Sequence, residues 1–166
     1  PFTGQIDHQQ RQRRAERALK ELRTTLGAKD LEHAVDVYRK AILQWPDDWL
    51  LHYDIANLHD IAQKHQSTAD HLQTVLRLLP RHVPARVGLG HALAKMNKDD
   101  EALAAYRQAL GGDPDMLAAH IGMGVVLSRR KKFDQAAHHF NEALRIKPDD
   151  KEAADCLENL KRMAGE

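Results

Sequence analysis

The sequence has only one cysteine, Cys156, so its 166 residues cannot form an internal disulfide bond. Many small secreted domains depend on disulfides, and their absence here favours a reducing compartment such as the cytoplasm. No apolar run reaches the roughly 20 residues that a membrane-spanning helix needs. Residues 1–4 lack the basic and apolar stretches of a signal peptide. The sequence therefore predicts no direct membrane insertion, and its start at Pro1 indicates a fragment or a processed product.

Aromatic residues make up only 5% of the chain, which argues against a β-sandwich core. The chain also lacks an excess of either charge, because it has 25 Lys and Arg residues and 24 Asp and Glu residues, for a net charge of +1. A balanced chain gives no general attraction to nucleic acid. The basic stretch at residues 11–14 is accompanied by Glu16 and Glu21, so we interpret it as part of a solvated helix.

The usual catalytic motifs are missing. The sequence contains no phosphate-binding loop, no H-E-x-x-H, no C-x-x-C and no G-x-S-x-G. The pairs Gly88/Gly90 and Gly122/Gly124 resemble part of a nucleotide-binding loop, but such a loop follows a strand and none is predicted here. We interpret both pairs as places of close helix packing. The sequence therefore predicts neither catalysis nor a cofactor.

Four of the six prolines are evenly spaced along the chain: Pro46, Pro80, Pro114 and Pro148. Proline cannot continue a helix, and it pushes the residue before it out of helical conformation. Asp follows three of these prolines, and Asp is a favoured residue at the start of a helix. Each proline therefore predicts the end of one helix and the beginning of the next.

The helix before each proline carries a second repeated pattern. Small, aromatic and small residues lie twelve, eight and five positions before the proline, as in Ala102, Tyr106 and Ala109. Spacings of four and three residues place all three on one helical face. The same pattern precedes Pro46 and Pro148, whereas Thr68, Leu72 and Val75 diverge from it.

Together these patterns resemble the tetratricopeptide repeat family, whose repeating unit is a helix–turn–helix of 34 residues. The interval between successive repeated prolines is also 34 residues. The resemblance covers about residues 15–150. It implies an all-α fold, namely an α-solenoid in which antiparallel helix pairs form a right-handed superhelix. In residues 117–150 the matching positions are Met123, Gly124, Ala136, Phe140, Ala143 and Pro148.

Four units follow from this register, at about residues 15–48, 49–82, 83–116 and 117–150. A basic first helix is expected from about residue 8, so the repeat array spans 8–150 and residues 1–7 form a tail or linker. Residues 151–166 are predicted to form a capping helix, because terminal repeats need a polar outer face.

Histidine is frequent, with 11 residues. His52 and His120 share one position of the repeat, and we interpret them as half-buried packing residues. No cysteine or carboxylate converges on them to complete a four-ligand metal site, so no metal site is predicted. A pH-sensitive surface is the favoured alternative, because histidine titrates near neutral pH.

The resemblance also implies where a partner binds. In the family, the first helix of each unit lines a concave groove that holds a peptide or protein. Lys95 and Arg129 occupy equivalent positions there and suit an acidic partner, but they also lie near the C-terminal ends of their helices, where the helix dipole by itself favours cations. The predicted groove residues are Leu50, Tyr53, Asn57, Val87, His91, Lys95, Ile121, Val125 and Arg129.

Some members of the family clamp the C-terminal carboxylate of chaperones with lysine, asparagine and arginine. Neither register of this chain reproduces that clamp, so a chaperone-tail adaptor is disfavoured. One of the two registers places Tyr53, Asn57, Gly88, Ala118 and Gly122 at the clamp positions.

The sequence therefore predicts a non-catalytic interaction module or adaptor that binds another protein and not nucleic acid. Two alternatives stay open. In the first, the array is a structural spacer or a self-assembling element that forms homo-oligomers. In the second, it is the appendage of a larger enzyme whose catalytic domain lies outside this sequence.

Overall fold

The computed structural model describes residues 28–164, and within that range it contains eight α-helices and no strand. The prediction of an all-α fold is confirmed for these residues. The helices are α1 (Ala28–Gln44), α2 (Trp49–Ile61), α3 (His65–Leu78), α4 (Val83–Lys95), α5 (Asp99–Gly112), α6 (Leu117–Arg129), α7 (Phe133–Ile146) and α8 (Lys151–Ala164).

The helix boundaries repeat with the period of the prolines. The first helices of successive pairs begin at Trp49, Val83 and Leu117, and α8 begins one further period on, at Lys151. The second helices begin at His65, Asp99 and Phe133 with the same spacing. The two helices of each pair pack against each other as an antiparallel hairpin. The chain is therefore a solenoid of helix pairs, as predicted.

Two compact units divide the chain, Pro1–Leu78 and Leu79–Glu166. In the first unit, helix α2 packs against both α1 and α3. The core between α1 and α2 consists of Ala34, Val35, Tyr38, Ile55 and Leu58.

The second unit contains α4 to α8, and each of these helices packs against the next. The first helices of its two pairs, α4 and α6, also contact each other, and α8 contacts both α6 and α7. Its largest buried side chains are Tyr106 and Phe140, which are 2% and 1% exposed.

Glycine makes room for these two rings. A Cβ built at Gly90 would lie 2.7 Å from Cε1 of Tyr106, and one at Gly122 would overlap atoms of the same ring. A Cβ at Gly124 would lie 2.7 Å from Cδ1 of Phe140. The interpretation of these glycines as sites of close helix packing is confirmed at Gly90, Gly122 and Gly124.

Aspartates after the repeated prolines start helices, as the sequence predicts. The Asp48 carboxylate accepts a hydrogen bond from the Leu50 N–H at 3.1 Å, and Asp150 accepts one from the Ala153 N–H at 3.1 Å. In an intervening repeat His82 takes this role, because its Nδ1 accepts from the Ala85 N–H at 3.0 Å. These side chains satisfy N–H groups that lack partners within the helix.

The turns inside the helix pairs contain left-handed residues that are not glycine. Gln63, Asn97 and Lys131 have φ values of 58°, 59° and 58°. The next residue closes each turn by a hydrogen bond back to the helix, as the Lys132 N–H does to the Leu127 carbonyl at 2.9 Å. This bond is the one that ends a helix with a left-handed residue, a position that favours glycine.

We expect Lys131→Gly to stabilise the protein by about 0.5–1 kcal/mol, because glycine relieves the left-handed strain and this gain exceeds its extra entropy when unfolded. Chemical denaturation measures the change. Asn97→Gly is the matched control and should gain less, because asparagine tolerates the left-handed region better than lysine. A loss of stability in Lys131→Gly would contradict the assignment of strain to this turn.

Several predicted features lie outside the described residues. They are the tail at residues 1–7, the basic helix that begins near residue 8, and the first helix of unit 15–48. Between residues 28 and 164, no helix is both long enough and apolar enough to cross a membrane.

Candidate functional site

The predicted binding face of the second unit is formed by α4 and α6. Val87, His91 and Lys95 follow one another at four-residue spacing along α4, which places them on one side of that helix. Val87 is half-buried, whereas His91 and Lys95 are exposed. On α6, Val125 is 45% exposed, so it presents apolar surface to solvent.

Ile121 lies in a different environment from the other predicted groove residues. It is 7% exposed and packs in a core cluster with Ala143 and Ala153. Helices α7 and α8 supply these two alanines and cover the side chain. Ile121 therefore supports the face from beneath, and Val125, one turn further along α6, supplies its apolar surface.

The Arg129 side chain is bound by residues of the neighbouring repeat. Its guanidinium donates to the Ala94 carbonyl at 3.1 Å and to Asn97 Oδ1 at 3.2 Å, and it pairs with the Asp99 carboxylate. These partners lie at the end of α4 and in the turn after it. Lys95 is exposed and forms no ion pair with the residues that the structure describes. Of the two predicted cations, only Lys95 therefore presents an uncommitted charge.

In the first unit, the predicted residues Leu50, Tyr53 and Asn57 lie on α2 and are all half-buried. Ile61 extends the series of Tyr53 and Asn57 by one more turn and is 50% exposed. This side of α2 thus combines apolar surface with one amide that both donates and accepts hydrogen bonds.

A histidine relay recurs in both units, and the sequence did not reveal it. His52 Nε2 lies 3.0 Å from the Pro46 carbonyl oxygen, and its Nδ1 lies 3.0 Å from His71 Nδ1. His120 repeats both contacts at 3.1 Å, with Pro114 and His139. A carbonyl oxygen only accepts, so Nε2 of His52 and His120 must carry the proton.

That assignment sets the protonation of the partner rings. In its neutral form, Nδ1 of His52 or His120 is an acceptor, so His71 and His139 donate from Nδ1. Burial, reinforced by the neighbouring histidines, lowers the pKa of His71 to about 4 and that of His139 to about 4. His52 and His120 are 8% and 7% exposed, so they are packing residues, as predicted, but they are buried and not half-buried.

We expect the melting temperature to fall as the pH is lowered from 6.5 towards 4. The folded pKa of His71 and His139 lies below the ordinary value of 6.5, so between these values the unfolded chain binds more protons. The stabilisation is therefore complete above pH 6.5 and is lost as the pH falls. Calorimetry across this range measures it.

The double variant His71→Gln/His139→Gln is the control for this prediction. Its amides still donate a hydrogen bond to His52 and His120 but do not titrate. The pH dependence of its melting temperature should be weaker than that of the wild type. Identical curves would contradict the relay as the source of the pH dependence.

The described part of the chain offers no candidate metal site. Between residues 28 and 164, no three or more His, Cys, Asp or Glu side chains are placed to hold a metal ion. Cys156 is half-buried on α8, and burial raises the pKa of its thiol, which favours the unreactive protonated form.

Comparison with known proteins gives one family. Residues 87–151 match the model described as tetratricopeptide repeat. No curated protein matches the sequence. The likeness to solved structures therefore carries the comparison over the rest of the chain.

Three solved structures illustrate that likeness. The crystal structure of MamA is 18% identical with a TM-score of 0.77, over 87% of this chain and 83% of that one. YrrB, described as a TPR protein with an unusual peptide-binding site, is 18% identical with a TM-score of 0.69, over 88% and 74%. The first TPR of Spaghetti (RPAP3), bound to the HSP90 peptide SRMEEVD, is 15% identical with a TM-score of 0.68, over 71% and 94%. At these identities the shared property is the fold.

Proposed function

We propose that this chain, a tetratricopeptide repeat protein, is a non-catalytic interaction module that binds a protein or peptide on the face of its first helices. The observation that carries the proposal is the face formed by α4 and α6. There Val125 exposes 45% of its surface in a helix whose other large apolar residues are buried or half-buried. With half-buried Val87 and exposed His91 and Lys95 on α4, these helices offer both apolar and polar surface, which is the usual composition of a protein interface.

Two similar structures support the choice of function class. YrrB is described as having a peptide-binding site, and the RPAP3 domain holds a peptide. The absence of the chaperone-tail clamp from both registers of this sequence argues for a different ligand from the one that RPAP3 holds. Val87 and Val125 supply apolar contacts, His91 and Lys95 supply polar ones, and α2 offers Leu50, Tyr53 and Asn57 in the same way.

Affinity capture from a lysate of the source organism tests the proposal. The face variant carries Tyr53→Ala, Asn57→Ala, Val87→Ala and Val125→Ala. Ile121 is left unchanged because it belongs to the core. The matched control carries Arg107→Ala, Gln135→Ala and Asn141→Ala, three exposed residues on α5 and α7. Circular dichroism establishes that both variants remain folded.

A partner that the wild type and the control capture, and that the face variant loses, would support binding on the first helices. A partner retained by the face variant would move the binding site to another surface. If nothing is captured and the chain self-associates in analytical ultracentrifugation, the alternative of a self-assembling element replaces this proposal.

A further inference from the structure

Two of the repeated prolines, Pro46 and Pro114, have their carbonyl oxygens bound by histidines, whereas Pro80 has its carbonyl oxygen bound by an arginine. His52 and His120 bind the carbonyl oxygens of Pro46 and Pro114, each with a second histidine behind it. At the same position in the intervening repeat, Arg86 donates from Nη2 to the Pro80 carbonyl. No second histidine stands behind Arg86, because Ala105 occupies the position that His71 and His139 hold in the neighbouring repeats.

Arg86 therefore has an unused donor. Its Nε is buried and has no hydrogen-bond partner among the described residues. A buried N–H without an acceptor is unfavourable, and an acceptor that reaches it is bound strongly when it is charged. Arg86 forms no ion pair with any described residue.

A cleft of about 620 Å³ lies beside this arginine, between the start of α4 and the end of α5. No acidic residue of the described chain lines it. Its walls are Arg81, Val83, Arg86, Gln108, Gly111 and Gly112. Arg81 is exposed and, like Arg86, has no carboxylate partner among residues 28–164.

The next repeat fills the equivalent place with an ion-pair cluster. Asp115 and Arg145, which hold the positions of Arg81 and Gly111 in that repeat, form an ion pair at 2.6 Å. Glu142, at the position of Gln108, binds the same guanidinium at 2.9 Å. That repeat thus places two carboxylates around one guanidinium. In the cleft, Arg81 and Gln108 replace both carboxylates and a glycine replaces the arginine, whereas Arg86 adds a second guanidinium.

We propose that the cleft formed by Arg81, Arg86 and Gln108 binds a carboxylate of an acidic segment of a partner protein. A guanidinium offers parallel N–H donors that match the two oxygens of a carboxylate. Gln108 adds an amide donor, and Gly111 leaves the entrance open, since a Cβ there would meet nothing within 4 Å. The nature of the ligand as a protein segment rests on the proposed function. The site itself rests on the arginines.

Titration of the ¹⁵N-labelled chain with a blocked hexaglutamate peptide tests the cleft by NMR. The arginine Nε–Hε signals report on each guanidinium directly. We expect the Arg81 and Arg86 signals to shift and saturate with hexaglutamate, and to stay unchanged with hexaglutamine. Inorganic phosphate, added in a separate arm, is expected to bind more weakly than the peptide.

Two variants and one control locate the effect. Arg81→Asp restores the residue type found at Asp47 and Asp115, and Gly111→Glu supplies an internal carboxylate where there is space for it. Each is expected to weaken hexaglutamate binding about tenfold or more, as the loss of a charge-assisted hydrogen bond implies. Arg107→Asp makes the same charge change at an exposed arginine of α5 outside the cleft and should retain binding.

Absence of any shift at Arg81 and Arg86 would overturn the proposal, and so would equal weakening by Arg107→Asp, which would indicate general charge attraction. Tighter binding of phosphate than of hexaglutamate would replace the acidic protein segment by a phosphate group. Because the peptide replaces the natural partner, failure here leaves the face of α4 and α6 to be judged by the capture experiment alone.

Discussion

Phe140→Ala is expected to lower the free energy of unfolding by about 3–5 kcal/mol, the usual cost of removing a buried phenylalanine. The ring is 1% exposed and lies against Gly124, with Ala136 and Ala143 on its own helix fully buried beside it. Gly124 has no side chain that could move into the space that the ring leaves, so part of the cavity should remain. Urea denaturation followed by circular dichroism measures the loss.

The conservative variant Phe140→Leu separates cavity formation from general disruption. It should cost clearly less than Phe140→Ala, because leucine fills most of the space and keeps the apolar surface buried. If Phe140→Ala unfolded at the same urea concentration as the wild type, the packing of α6 against α7 described above would be wrong.

The second large effect is expected for Gly122→Val. The Tyr106 ring lies against Gly90 and Gly122, and a Cβ on either glycine would overlap ring atoms. The ring has little room to move away from Gly122, because Tyr106 is 2% exposed and belongs to the core cluster of the second unit. Forcing atoms into such a core costs about 1–3 kcal/mol, and here the upper end is expected.

Gly111→Ala is the matched control for this prediction. It also replaces a glycine of a helix by a larger residue, but its Cβ would meet no atom within 4 Å. It should leave stability unchanged or raise it by up to about 1 kcal/mol, since alanine is the better helix former. Equal stability of Gly122→Val and the wild type, measured by thermal melting, would contradict the placement of Tyr106.

The fold was predictable because the signals that define it are local and repeated. Pro114 ends one helix and begins another, and Ala102, Tyr106 and Ala109 mark the side on which α5 packs. Such signals depend on residues a few positions apart, and their recurrence at a fixed period removes ambiguity. Non-glycine residues at left-handed turn positions, such as Lys131, leave no such signal.

The contacts of individual side chains were less predictable, because they join residues far apart in the sequence. Spacing alone places Ile121 beside Val125, but α7 and α8 bury Ile121. The sequence alone indicates that Arg129 is a free cation, whereas in the structure it binds Asn97 and Asp99 of the neighbouring turn. The pairing of His120 with His139 requires the geometry of two packed helices. The cleft could have been found by comparing equivalent positions of neighbouring repeats. Arg81 stands where the next repeat has Asp115, and Gly111 stands where it has Arg145.

The central claim is that a partner binds on the first helices of the pairs, and site-specific photo-crosslinking tests it most directly. A benzophenone amino acid is introduced at Val125 on α6, and in a second protein at Gln135 on α7, both exposed positions. After irradiation in lysate, the account predicts a defined protein adduct from position 125 and none from position 135. Adducts from position 135 alone, or from neither position, would contradict it.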